Sequence, residues 1–152
     1  MGKGNQQHEF PLETVGRVVR DGGNLRVIYN NDLVGLYKSM IDRHYWLNTT
    51  FPKHGAHTTI CSSKIHGKID ITKLNKWHGE KIIVKYSPYI HVGAKTKNYR
   101  IFMMFCSSMK IDAIVKDLGV TPPWNWHITV CNYGKAENPY NYFPPLITVQ
   151  NR

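Results

Sequence analysis

The sequence predicts an α+β protein of two pseudo-symmetric antiparallel β/α lobes around a central cleft. Three observations predict it. Short runs rich in Thr, Ile and Val alternate with stretches of helical apolar spacing. The order strands, helix, strand occurs twice. Each repeat ends in one pattern, His57-Thr58-Thr59-Ile60 and His127-Ile128-Thr129-Val130, followed by a cysteine, Cys61 and Cys131.

The elements follow in order. Thr14 to Arg20 and Asn24 to Tyr29 alternate loosely around Asp21-Gly22-Gly23, which reads as a β-hairpin. Leu33, Leu36, Tyr37, Met40 and Ile41 recur at helical spacing, with Asn31 or Asp32 as N-cap. Asn48 to Gly55 is a loop punctuated by Pro52, and Ala56 to Ser62 is the first motif strand. Asp70 to Trp77 reads as a short helix capped by Asp70, and Glu80 to Tyr86 as a strand ended by Ser87-Pro88.

In the second repeat, Tyr89 to Val92 and Tyr99 to Cys106 are strands around a Gly93 to Asn98 loop. Met109 to Leu118 is a helix: Ile111, Ile114, Val115 and Leu118 share a face, Ser107 or Ser108 caps it, and Gly119 ends it. Thr121-Pro122-Pro123 breaks the chain before the second motif strand, Asn125 to Asn132. Ala136 to Pro145 is a loop, and Leu146 to Gln150 a last strand. The motif histidines are 70 residues apart, as in an internal duplication.

The 152 residues fit a single domain, with 1–10 as a loose, polar N-terminal arm. An apolar share of 41% and a charged share of 20% point to a globular chain. No apolar run reaches the ~18 residues of a membrane span, and the start lacks a signal-peptide core. Three cysteines without a CxxC pair suit a reducing, cytoplasmic setting. The net charge of +10 favours a polyanionic partner such as nucleotide or nucleic acid.

In a strand, residues i and i+2 share a face, so each motif sets an imidazole beside a hydroxyl. Phosphodiester cleavage needs a base for the nucleophile, an acid for the leaving oxygen, and donors for the non-bridging oxygens. His57 and His127 suit the proton roles, and Thr59 and Thr129 suit the donor roles. A zinc site of His57, Cys61, His127 and Cys131 competes. On a strand, residues four apart are about 13 Å from each other, too far to share one tetrahedral ion.

The two-motif pattern resembles the 2H phosphoesterase superfamily, named for two His-x-Ser/Thr-aliphatic motifs on a bilobal, LigT-like fold. The likeness spans about Thr14 to Tyr133. Gly55-Ala56-His57-Thr58-Thr59-Ile60 and the passage from Leu118-Gly119-Val120 to Trp126-His127-Ile128-Thr129-Val130 are similar to the phage anti-CBASS phosphodiesterases. Those enzymes degrade the cyclic oligonucleotide signals of bacterial immunity. The resemblance implies His57 and His127 as the catalytic pair, Thr59 and Thr129 as phosphate clamps, and no metal or other cofactor. It implies cleavage of 3'–5' bonds in cyclic di- or trinucleotides such as 3',3'-cyclic GMP-AMP, with a ribose 2'-hydroxyl or water as nucleophile. It also implies a host-cytoplasmic setting, with no membrane and no obligate protein partner.

For base stacking, Tyr86, Tyr89, Tyr99 and Trp124 are the candidates. Trp126 neighbours His127 and so points to the opposite face, toward packing. His54 reads as a loop surface residue, and Lys53, Lys95 and Lys97 as solvated lysines. Two other functions stay open: action on RNA, at 2',3'-cyclic phosphate ends or 2'–5' oligoadenylates, and a nucleotide-sequestering module without turnover. Binding alone has no need of two proton-transfer groups.

Overall fold

The computed structural model describes residues 10–96, 99–134 and 148–150. Residues 1–9 of the expected N-terminal arm, Lys97, the 136–145 loop and the first residues of the last strand lie outside them; Phe10, expected in the loose arm, is instead buried. The first strand, β1 (Leu12–Asp21), turns through Gly22-Gly23 into β2 (Asn24–Ile28). Gly22 takes φ +59°, which suits a residue without a Cβ. Helix α1 (Asp32–Tyr45) follows and buries Val34, Ile41 and Tyr45. Leu36 falls off that stripe and is exposed, a correction to the expected apolar face.

Asn31, one of the two expected residues, stands at the N-cap of α1, but its side chain makes no cap hydrogen bond; Asn30 Oδ1 accepts the Asp32 N–H at 2.9 Å. Asn31 instead accepts the Ala56 N–H at 2.9 Å, at the entry to the first motif strand.

That strand is β3 (His57–Cys61). A short helix that the sequence did not announce, α2 (Ser63–His66), follows it, and then α3 (Ile71–Trp77), capped by Asp70 through the Thr72 N–H. β4 (Lys81–Tyr86) alternates exposed and buried residues. β5 (Tyr89–Thr96) runs through Gly93, where the sequence suggested a loop, and pairs with β6 (Tyr99–Ser107). α4 (Met109–Leu118) is capped by Ser108 and ended by Gly119. β7 (His127–Tyr133) is the second motif strand, and β8 (Thr148–Gln150) pairs with β5.

All strands join one antiparallel sheet in the order β4-β1-β2-β3-β7-β6-β5-β8. This order is a palindrome: β3 matches β7, β2 matches β6, β1 matches β5 and β4 matches β8. The seam between halves is the β3–β7 pair. β4 also pairs with β6, through Lys85↔Ser107 and Tyr86↔Cys106, so six strands close a circuit.

One face of this sheet is apolar and carries Val18, Val27, Ile60, Val84, Met104 and Ile128, all nearly or wholly buried. Ile41 of α1, Leu74 of α3, and Ile111 and Ile114 of α4 join them in one core. The periodicity of two then sends the intervening residues, the motif histidines among them, to the other face.

Candidate active site

His57 and Thr129 stand directly across the seam from each other. These two sit at the roughly 5 Å Cβ separation of cross-strand neighbours. Among the described residues this is the one rung that β3 and β7 share; further along, β7 pairs instead with Thr50, through Asn132.

Both imidazoles are held in the same way. His57 Nδ1 donates to the Gly55 carbonyl at 2.7 Å, and His127 Nδ1 donates to the Asn125 carbonyl at 2.8 Å. Each acceptor lies two residues upstream. A carbonyl only accepts, so Nδ1 carries the proton, and Nε2 of the neutral ring keeps its lone pair. Among the described residues neither Nε2 has a hydrogen-bond partner.

Gly55 explains the first clamp. It sits at φ +72°, and a Cβ there would come within 2.7 Å of Asn31 Oδ1, the atom that fixes Ala56. Glycine therefore lets the chain bend back under His57 while Asn31 ties down the next residue.

Both histidines are half-buried, and burial holds both below the ordinary imidazole pKa. The carbonyl contacts oppose that shift in each ring. His57 alone also feels positive neighbours, in the order His54, Arg26 and His127. His54 is exposed, as the sequence suggested, yet its ring meets His57 edge-on with centroids 5.7 Å apart.

The threonines differ by position. Thr58 points into the core, where its hydroxyl bonds Tyr29 Oη at 2.8 Å and meets Cys106 Sγ at 3.7 Å. Among the described residues the hydroxyls of Thr59 and Thr129 bond nothing, so both remain available as donors.

The register shifts once in each motif strand, at the same place. Thr59 pairs with Arg26 and Cys61 with Leu25, leaving Ile60 as the extra residue. Thr129 pairs with Met103 and Cys131 with Phe102, leaving Val130. These matched bulges reset the alternation. Both cysteines then turn to the apolar face and are fully buried, away from the histidines. Burial lifts their thiols to about 11 for Cys61 and about 12 for Cys131. The two-His, two-Cys zinc set is thus split between opposite faces of the sheet.

The remaining candidates divide. Tyr86 is 7% exposed, lies on the apolar face and hydrogen-bonds Tyr37, so it belongs to the core and leaves the list of base-binding residues. Tyr89 is 41% exposed at the start of β5 and shares a face with His91. Tyr99 is half-buried on the site face of β6 but four residues, about 13 Å, from Met103. Trp124 reaches the motif directly: its Nε1 donates to the Thr59 carbonyl at 3.3 Å, and its ring meets His66 edge-on at 5.7 Å. Trp126 packs against the core and donates to Asp112.

Sequence reading missed the neighbours supplied by pairing. Arg26 lies beside Thr59, Met103 beside Thr129, and Ile28 and Phe105 beside His57 and His127. His91 pairs with Met103 and packs its ring on Phe105, with centroids 4.2 Å apart. The alternation within β2 placed Arg26 opposite to Leu25 and Val27; only the register could say what it stood next to. No protein-family model, curated protein or solved structure matches the chain.

Proposed function

We propose that this protein is a metal-independent phosphodiesterase of the 2H kind, opening 3'–5' bonds of cyclic di- and trinucleotides such as 3',3'-cyclic GMP-AMP. Encoded by a phage, it would blunt CBASS immunity by removing the signal. The observation that carries the catalytic reading is the matched pair of histidines. Both are fixed through Nδ1 to a carbonyl two residues back, with Nε2 unengaged among the described residues, and His57 stands across the seam from Thr129. A site that only bound nucleotides would have no use for two rings held with the same nitrogen free.

In this reading one Nε2 takes the proton of the attacking hydroxyl or water. The other, protonated, gives its proton to the leaving oxygen as the P–O bond breaks. The threonine hydroxyls donate to the non-bridging oxygens as charge builds there. Burial lowers both rings, and His57 alone has the further positive neighbours His54 and Arg26 opposing its charge, which supports His127 as the acid and His57 as the base in this reading.

The test is a product assay in excess chelator. Wild type and His57→Ala are incubated with 3',3'-cyclic GMP-AMP and with an oligoribonucleotide bearing a 2',3'-cyclic end. Ring opening by wild type alone is the expected result. A converted RNA end beside an intact cyclic dinucleotide would move the protein to RNA processing. No product from either would leave a binding module.

A further inference from the structure

Arg26 stands on the site face of β2, paired with Thr59, at the rung where the Ile60 bulge re-aims the strand. Its side chain is 13% exposed, although it is a cation on the sheet face that carries the motif histidines. Among the described residues it has one hydrogen-bond partner: Nη1 donates to Asp21 Oδ2 at 3.1 Å, and the Asp21 side chain is itself 66% exposed. Among the described residues Nε and Nη2 have no acceptor. A guanidinium largely withdrawn from water is stable when its N–H groups are met, and its planar fork fits phosphate oxygens in pairs. Its charge is already felt where a substrate phosphate would lie, since it opposes protonation of both His57 and His54.

The pseudo-symmetric position in the other half is Met103, paired with Thr129 and half-buried. A thioether offers no charge and no donor.

We infer that Arg26 is the anion-binding residue of this site: its free N–H edge holds the phosphate that Thr59 and His57 address, and seats it on the first-half side of the seam. A nearly symmetric frame thereby binds its substrate in one orientation. This inference rests on the phosphodiester reading of the His–Thr pairs, but it can be tested apart from turnover.

The probe is inorganic phosphate, titrated into the full chain while the side-chain resonances of His57 and His127 are followed by NMR. Wild type is compared with Arg26→Met, which copies the matching residue, with Arg26→Gln, and with Arg26→Lys. The expected result is a phosphate affinity lowered roughly 10- to 100-fold in the neutral variants, as for loss of a charge-assisted pair of hydrogen bonds, with Arg26→Lys between them and wild type. The comparison uses whichever neutral variant keeps the wild-type far-UV spectrum and cooperative melting. Equal affinity in wild type and that variant overturns the inference. So does phosphate that moves neither histidine in wild type. Phosphate held through Arg26 by a protein that opens no phosphodiester sinks the catalytic reading and leaves this one standing. Hydrolysis indifferent to the loss of Arg26 does the reverse.

Discussion

Beside Thr59 stands Arg26; in the matching place beside Thr129 stands Met103. Across from His57 is Ile28, and across from His127 is Phe105. Val19 pairs with Arg26 in β1, whereas His91 pairs with Met103 in β5. The frame under these residues is the same in both halves: the bulge after the motif threonine, the clamp on Nδ1 and the cysteine turned to the core. In the proposed mechanism the frame places the reacting atoms, and the neighbours, which differ, favour a proton on one ring and draw the anion to one side. A duplicated scaffold can supply two identical proton carriers, but acid–base chemistry needs them unlike. Here the unlikeness comes from strands that carry no motif.

The strongest challenge to this comparison is removal of each ring. His57→Ala and His127→Ala are each expected to lower kcat/KM by about 10² to 10⁴, the range for loss of a general acid or base. The double variant should be little worse than either single one, because the two act in one step. Steady-state rates on cyclic dinucleotide measure this. If one substitution proves mild, only one ring moves a proton and the matched clamp means less than it suggests.

The threonines sharpen the comparison further. Thr→Val removes the hydroxyl and keeps the β-branched shape that suits a strand. Thr129→Val is expected to cost about 10² in single-turnover rate, as for an oxyanion donor without a neighbour to replace it. Thr59→Val should cost less, about 10-fold, because Arg26 remains on the same rung. Equal losses would say that Arg26 does not reach the phosphate.

The pH profile tests the proton assignment. Both rings titrate below the ordinary imidazole value, and His57 has the more opposing charges. In the proposed mechanism the active form has His127 charged and His57 neutral, so it is most populated between the two pKa values. The kcat/KM optimum should therefore lie on the acid side of about 6.5. Above it, activity falls as His127 loses its proton, approaching about tenfold per pH unit. Below it, activity falls as His57 gains one. A bound phosphodiester anion favours the charged form of both rings, so the kcat optimum should lie at higher pH than that of kcat/KM. A profile limited by one ionisation would argue against a two-histidine mechanism.

Much of this was readable before any coordinates. Richness in Thr, Ile and Val gave the motif strands, and helical spacing with Ser108 and Gly119 gave α4. The i, i+2 rule put His57 with Thr59 and His127 with Thr129. Three things were not readable. The bulges at Ile60 and Val130 depend on pairing with β2 and β6, so simple alternation would have turned both cysteines toward the histidines. Asn31 looks like a helix cap, but a competing donor, the Ala56 N–H arriving from 25 residues away, takes its oxygen. Tyr86 and Tyr89 are near in sequence and alike in chemistry. Strand face alone separates the buried one from the exposed one, and that depended on where the chain bends at Ser87-Pro88.

The smallest expected effect concerns the threonine that lies between the proposed catalytic positions, His57 and Thr59. Thr58 and Thr59 are adjacent and chemically identical, yet their strand faces give them separate duties. Thr58→Val strips Tyr29 Oη of its buried partner. Leaving a buried hydroxyl unmet costs about 1–3 kcal/mol, so the melting temperature should fall while kcat stays near wild type. Tyr29→Phe removes the other half of the pair. In the double variant neither group is left unmet, so the combined loss should be smaller than the sum of the single losses. Strict additivity, measured by denaturant unfolding, would mean that the pair is not coupled. A fall in kcat with Thr58→Val would mean that the two faces of β3 are not independent, and that the histidines owe their placement to the core as well as to their carbonyl clamps.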